Sequence, residues 1–340
     1  MSRVAVDAMG GDLAPAAVVR GALTAVRELP GIEVVLVGCE AAILKELPDG
    51  RAPSGISVVH ASEVLEMHES PVEGLRRKPD ASITVAMRLL ASGDADALVS
   101  AGHTGGTVAA ATFALSRIPG ARRAGIAAPF PTRTGHCVLV DVGANLQAKA
   151  PDLVQYAVMA GEYTRAVMGI AEPRIAILSV GGEEGKGSPL VRRAAEALRA
   201  FPDVHFTGNV EGQEIFSGAT DVILCEGFVG NVILKASEGL LEAFLHHMLA
   251  ELGGEVSPAG DDVLEDLRNR TDYTRYGGAP LLGHQGTILI CHGRSPHSAI
   301  RNAIEAADRC VDRNVNERIV AGLGALAANT DVAAILASGT

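Results

Sequence analysis

The feature that most limits what this chain can become is a repeated local pattern. A short apolar run ends in a turn of small and polar residues, and a stretch with helical spacing follows. Nine runs fit the first part: residues 4–7, 33–37, 56–60, 96–100, 137–141, 174–179, 204–207, 221–225 and 287–291. Most are continuously apolar, as strands are when both faces of a parallel sheet are covered. Helical stretches lie between them, at 15–28, 83–91, 104–115, 151–167, 189–200 and 231–252. Such alternation predicts an α/β fold, an α/β/α sandwich on a largely parallel sheet with right-handed crossovers. No linker or internal repeat divides the 340 residues, so one domain is expected. Within it, residues 231–275 read as a helical excursion, and the Gly- and acid-rich piece 253–262 as a candidate mobile segment.

Charge and cysteine usage narrow the function. Lys plus Arg number 29 against 40 Asp plus Glu, a net −11 that argues against a general nucleic-acid binder. The five cysteines (Cys39, Cys137, Cys225, Cys291, Cys310) form no CxxC pair. They read as reduced thiols, not as a disulfide framework or a zinc site. Met1-Ser2-Arg3 leads straight into the first strand without an apolar signal region. The most apolar long stretch, 232–252, is interrupted by Lys235, Glu238 and Glu242. A cytoplasmic chain is the expectation. Leu240, Leu241, Phe244, Leu245, Met248, Leu249 and Leu252 recur at helical spacing in that stretch. Core packing, a subunit interface and a membrane-surface contact all fit such a stripe.

The turns carry the chemistry. In open α/β sheets, ligands bind beyond the carboxyl ends of the strands. There this chain has Asp7 with Gly10, Gly11 and Asp12; Gly102-His103-Thr104-Gly105; Gly143-Ala144-Asn145; Gly182-Glu183-Glu184-Gly185-Lys186-Gly187; Gly227 to Asn231; and His292-Gly293. Glycine lets backbone N–H groups approach a ligand, and a helix N-terminus adds partial positive charge. Glycines that merely end strands are the other reading of any single turn. Several such loops meeting at one sheet edge predict a phosphate-like ligand.

Familiar nucleotide and hydrolase motifs fail. Gly187 follows Lys186 where a Walker A motif needs Ser or Thr, and Val180 stands where its first Gly belongs. There is no G-x-G-x-x-G after the first strand, no H-E-x-x-H and no G-x-S-x-G. What remains is an anion cradle with one lysine and amide side chains, and neither a metal nor a cofactor is expected. It suits inorganic phosphate attacking a thioester, which needs positioning and donors for the developing oxyanion. Lys186 would supply charge, while Asn145 and Asn231 would donate and accept. Both asparagines also fit turn or cap roles.

These loops together resemble the phosphate acyltransferase family, the acyl-ACP:phosphate transacylases of bacterial phospholipid synthesis. The matching motifs are Val4 to Asp12, Pro71 to Lys78, Ser100 to Gly105, Asp141 to Asn145, the glycine-rich stretch ending at Gly187, Glu226 to Asn231, and Tyr276 to Gly283 with His292-Gly293. The resemblance implies a Rossmann-like fold related to isocitrate and isopropylmalate dehydrogenases, and a homodimer. It implies that acyl-ACP and phosphate give acyl-phosphate and free acyl carrier protein, without cofactor or metal. A membrane glycerol-3-phosphate acyltransferase would use the product. Lys186, Asn231 and His103 are then the catalytic candidates. Asp7, Gly10, Gly11, Asp12, Gly102, Thr104, Gly105, Asn145, Glu184 and His292 are the substrate-binding ones.

Two departures from the family stand out. His103 occupies a position where the family commonly has Asn, which makes the site sensitive to pH near neutrality. The segment 253–262 is short and acidic where the family tends to be basic and apolar, which leaves weak peripheral membrane contact open. Acyl carrier protein is acidic, so Arg76-Arg77-Lys78 and Arg122-Arg123 are the candidate docking clusters. The rival readings are an acyl-CoA:phosphate acyltransferase, a nicotinamide-dependent hydroxy-acid dehydrogenase of similar fold, and a non-catalytic phosphate- or lipid-binding scaffold.

Overall fold

The computed structural model describes residues 2–251 and 277–338. Its strands are β1 (Ser2–Asp7), β2 (Ile32–Gly38), β3 (Ile56–His60), β4 (Ala97–Ser100), β5 (Gly125–Thr132), β6 (Gly135–Val140), β7 (Ile175–Leu178), β8 (Phe206–Val210), β9 (Val222–Leu224), β10 (Ala279–Leu282) and β11 (Thr287–Ile290). The helices are α1 (Ala16–Glu28), α2 (Glu40–Glu46), α3 (Pro71–Arg77), α4 (Ser82–Ser92), α5 (Thr104–Ala114), α6 (Ala150–Val167), α7 (Pro189–Arg199), α8 (Gly227–Glu251), α9 (His297–Asp312), α10 (Val315–Ala328) and α11 (Thr330–Ala337).

Continuous apolar runs become doubly covered strands, as their composition requires. In β1, Val4 and Val6 face the layer of α1 and α9, while Ala5 faces the layer of α4 and α5. In β6, Val138 and Val140 pack under α6, whereas Cys137 and Leu139 join the opposite layer. Each fully buried aliphatic side chain contributes about 1.5–3 kcal/mol relative to exposure. Local chemistry ends the helices. Gly93 closes α4 in the left-handed conformation (φ 78°). Ser188 starts α7 by accepting from the Val191 amide at 3.3 Å, followed by Pro189. Among the described residues, no single helix is long and apolar enough to cross a membrane.

All eleven strands form one sheet, in the order β3-β2-β1-β4-β11-β10-β5-β6-β9-β7-β8. The nine expected strands are present, with β8 displaced two residues along the chain, and β5 and β10 are additional. The sheet is two parallel blocks. One holds β3, β2, β1, β4 and β11; the other holds β6, β9, β7 and β8. Between them β11–β10, β10–β5 and β5–β6 are all antiparallel. Three reversals make the blocks run in opposite directions. The expectation that the glycine loops meet takes a different form: the blocks approach each other from opposite directions, so the loops after β4 and β11 and those after β6 and β9 come together across the middle of the sheet and not side by side along one edge. The central strands β10 and β11 are only four residues long. The registers across the middle pair Ile290 with Ala279, Leu281 with Ile126 and Ala127 with Val140, which brings the carboxyl ends of β11 and β6 to within about one residue, ~3 Å, along the strand direction. One pocket on the sheet face takes residues from both blocks.

Of the apolar stripe on α8, Leu240 and Phe244 are 73% and 52% exposed, so core packing does not account for them. The side chains of Leu245 and Leu249, together with Leu252, lie outside the described residues. So do the segment 253–262 and the rest of the expected excursion from 252 to 275.

Candidate active site

Each block organises its loops around one buried aspartate. In the first, Asp7 ends β1, and Ser100 at the end of β4 donates its hydroxyl to Asp7 Oδ2 at 2.8 Å. The Gly102 amide in turn donates to Ser100 Oγ at 3.1 Å, and the Met9 amide to Asp7 Oδ1 at 3.3 Å. Gly10 must be glycine: a Cβ there would lie 2.6 Å from Asp7 Oδ2 and 2.8 Å from the Gly102 nitrogen. The Asp12 amide donates to the Gly293 carbonyl at 2.7 Å and ties the β1 loop to the β11 loop. Burial raises the pKa of Asp7, against the pull of hydrogen bonds from Ser82, Ser100 and two backbone amides.

In the second block, Asp141 follows β6 with no exposed surface. Its carboxylate accepts four backbone N–H groups: Ile126 and Gly143 at 3.0 Å, Ala144 at 2.9 Å and Asn145 at 2.6 Å. Desolvation raises its pKa and these four bonds oppose the rise. The Asn145 carbonyl accepts from the Gly227 amide at 3.0 Å, which docks the start of α8 on this loop. At Gly230 a side chain would collide with the Asp141 carbonyl oxygen. That close approach sets the next residue, Asn231, against Gly143 at the pocket.

The pocket has a volume of about 260 Å³ and lies on the sheet face under α8. Its floor is Ile126, Ala128 and Pro129 of β5, Ala279 of β10 and Ile290 of β11. Thr104 and Gly105 of α5 and His292 line it from the first block; Gly143 and Asn231 line it from the second. The amides of Thr104 and Gly105 are unpaired first-turn donors, with no acceptor among the described residues. Lys235 and Glu238 of α8 also line it, their charges paired at 2.8 Å, and His292 Nε2 is 3.7 Å from Glu238. Cys291 contributes a buried thiol that burial pushes up to about 12.

The expected site residues divide into groups. Thr104, Gly105, Asn231 and His292 meet in the pocket. His103 caps α5: its Nδ1 accepts from the Gly106 amide at 3.2 Å, and His103 does not line the pocket. Asp7, Gly10, Gly11, Asp12 and Gly102 form the loop cluster behind it. Asn145 spends its amide on the Ala124 carbonyl and on Tyr156 Oη, the latter at 2.7 Å. Lys186 and Glu184 are exposed on the loop between β7 and α7. There Glu184 pairs with Arg199 at 3.2 Å, and Lys186 makes no ion pair among the described residues. This loop and the start of α8 enclose a second cavity of about 260 Å³, lined by Val180, Gly187, Glu226 and Val229.

Arg76 and Arg77 lie on α3, whose Pro71 ring would be 3.1 Å from a Cβ on Gly105, at the pocket. Lys78 is held by Glu69 at 2.6 Å and the Val64 carbonyl at 2.7 Å. Arg122 pairs with Asp152 of α6 at 3.2 Å, in the other helical layer, and Arg123 beside it is exposed. Sequence reasoning missed Lys235, Glu238 and Cys291 as lining residues. For Lys235 a signal existed: it stands four residues after Asn231, on the same helix face.

Residues 2–318 match the family model described as "Fatty acid synthesis protein". The chain is 45% identical over 325 residues to the phosphate acyltransferase of Nitratidesulfovibrio vulgaris, covering 93% of each. It is 48% identical over 323 residues to that of Heliobacterium modesticaldum, covering 92% of this chain and 95% of that one. Among solved structures, a phosphotransacetylase from Streptococcus pyogenes superposes with a TM-score of 0.61 at 19% identity, covering 91% of this chain and 94% of that one. A 4-hydroxythreonine-4-phosphate dehydrogenase from Klebsiella pneumoniae gives 0.50 at 15% identity, covering 92% and 98%. These two likenesses are of fold.

Proposed function

This chain belongs to the phosphate acyltransferase family, and from that premise we propose that it moves an acyl group from acyl carrier protein to inorganic phosphate. The observation that carries the reading is the pocket's donor set. Thr104 and Gly105, whose amides are unpaired, share the pocket with Asn231 and Lys235 over an apolar floor. Phosphate at the α5 N-terminus is held by those amides, as anions commonly are. One of its oxygens forms a C–O bond to the thioester carbonyl carbon, and the carbonyl oxygen becomes an oxyanion within reach of the Asn231 amide. The tetrahedral intermediate collapses, the C–S bond breaks, and the departing thiolate takes a proton from water. Acyl-phosphate and free carrier thiol result. Lys186, on its glycine-rich loop beside the start of α8, supplies unpaired positive charge as substrate arrives.

Cys291 bears on the choice between direct attack and an acyl-enzyme. A thiol with a pKa pushed up to about 12 is almost wholly protonated at neutral pH, which makes it a poor nucleophile. Phosphate is thus the attacking group. The carrier docks on α3, where Arg76 and Arg77 present positive charge next to Gly105. Arg122 and Arg123, on the far helical layer, take no part. The enzyme works in the cytoplasm as a homodimer. Its acyl-phosphate goes to a membrane acyltransferase that acylates glycerol 3-phosphate for phospholipid synthesis.

Incubation with acyl-ACP and phosphate tests this, with hydroxylamine trapping of acyl-phosphate. Phosphate-dependent hydroxamate is expected without added metal or nucleotide. A requirement for a nicotinamide cofactor, or loss of activity with a chelator, would overturn it. Acyl-CoA turned over as well as acyl-ACP, with no effect of Arg76→Glu on either, would replace carrier protein by coenzyme A as the donor.

A further inference from the structure

A larger groove of about 470 Å³ adjoins the pocket, and the two share Pro129, Leu234 and Glu238. Its walls are mostly apolar, with Arg133 and Glu238 the two charged residues among them. Phe130 and Phe216 approach with ring centroids 6.3 Å apart, and Leu240 and Phe244 of α8 line the outer end. Phe216, Leu240 and Phe244 are 39%, 73% and 52% exposed, a run of apolar surface left open by the chain's own packing. The volume is that of a site for a small organic ligand, typically ~300–1,000 Å³.

We infer that this groove holds the hydrocarbon chain of the acyl substrate, with its inner end at Leu234 delivering the thioester carbonyl to the Asn231 pocket. The inference rests on the proposed reaction. Its own support is the continuity of the two cavities. Leu234 and Glu238 follow Asn231 along one face of α8 at helical spacing, so the polar pocket runs into the groove along that face. A second copy of this protein seated on Leu240 and Phe244 would bury the same exposed surface, yet it would not require the groove to open into the polar pocket. Glu238 at the junction is paired with Lys235, so the chain does not pass a lone carboxylate. Ser237 lines the groove, and a bulky side chain in its place would narrow it. The groove therefore sets chain-length preference.

The test compares wild type with Ser237→Phe on butyryl-, octanoyl-, dodecanoyl- and hexadecanoyl-ACP. Wild-type kcat/KM should rise with length, by at most about fourfold per buried methylene, until the groove is full. Ser237→Phe should lower the hexadecanoyl-to-butyryl ratio by roughly tenfold or more. Binding of free palmitate by calorimetry is the second readout: wild type should bind it, acetate should not bind, and Ser237→Phe should weaken palmitate by a similar factor. If wild type binds palmitate but forms no acyl-phosphate from any donor, the proposed reaction fails and the groove assignment stands. Equal loss at every chain length, accompanied by a change of mass in light scattering, would make the groove an interface between copies and overturn the inference. An unchanged length profile with unchanged palmitate affinity would overturn it as well.

Discussion

Asp7 and Asp141 hold corresponding places in the two sheet blocks, yet they hold their loops by different means. Both are buried carboxyls at the carboxyl end of a parallel strand, and burial raises the pKa of each. Asp141 is satisfied by four backbone amides, three from its own loop and one from the start of β5. Asp7 is satisfied mainly by the hydroxyls of Ser82 and Ser100, on α4 and β4. The first arrangement folds a loop onto itself and makes a fixed shelf for α8. The second is a clamp between separate elements, and it depends on particular side chains. Chemistry that needs an immobile amide is better sited on the shelf, where Asn231 is.

Removing the two carboxylates should separate them most widely. Asp141→Ala leaves four N–H groups without their acceptor, at about 1–3 kcal/mol for each that stays buried, so a loss of roughly 4 kcal/mol or more is expected. Asp7→Ala also strands four donors, but two are hydroxyls that can rotate toward other acceptors, so it should cost about half as much. Urea denaturation of both variants measures this. Equal losses would erase the distinction between shelf and clamp.

The next largest effect concerns the cations of the Asp141 block. Lys186→Ala should lower kcat/KM by a factor on the order of 10², within the range that a steering charge adds to association, with melting unchanged. Lys235 shares its charge with Glu238, and Lys235→Ala should cost only about tenfold for that reason. The reverse order would put the phosphate charge over the second turn of α8 and reduce Lys186 to a surface residue.

A third comparison uses pH. A carboxyl whose folded-state pKa lies above the ordinary 3.8 binds its proton more tightly in the native chain than in the unfolded one. Its contribution to stability is full below about pH 3.8 and is lost as pH rises through the folded value. Asp7→Asn does not titrate, so its stability relative to wild type should improve as pH is raised from 4 to 7.5. Melting temperatures across that range test it, and a constant offset would mean that the hydroxyls hold Asp7 ionised throughout. Asp141→Asn should show the same trend on top of a loss at every pH, because its NH₂ would face amide donors.

The smallest effect sharpens the Asp7 side. Since His103 caps α5, His103→Asn should keep both stability and most activity, while His103→Ala should cost about 1 kcal/mol. A tenfold drop in turnover for His103→Asn would return the ring to the phosphate site.

Much of this architecture is legible in the sequence, because doubly covered parallel strands are written as unbroken apolar runs. The exceptions have physical reasons. β5 contains Pro129 and Pro131, which argue against a central strand. Both lie beyond the last residue pair with β10, Ile126 with Leu281, where β6 alone runs beside them. β10 is four residues, Ala-Pro-Leu-Leu, too short for any periodicity. Without these two strands, the reversal that makes the blocks meet head-on in mid-sheet is invisible, and loops side by side along one edge are the natural expectation. The site was half legible for the same reason. Loop glycines mark strand ends, but which ends meet depends on strand order, and a turn asparagine such as Asn145 reads like one that faces a ligand. Lys235 was hidden inside a helix, where a lysine usually means a solvated face.

The central position of β10 and β11 has a consequence for how the molecule is made. These strands join the two blocks, and they come after residue 276 of 340. A ribosome therefore completes both flanks of the sheet well before it releases the pieces that unite them. Until then β4 and β5 each present an open edge, the kind of surface on which nascent chains aggregate. Closing the middle also requires contacts across long sequence separations, which slows folding. Shortening this chain from its C-terminal end by some sixty residues would thus split the sheet at its centre instead of trimming a border.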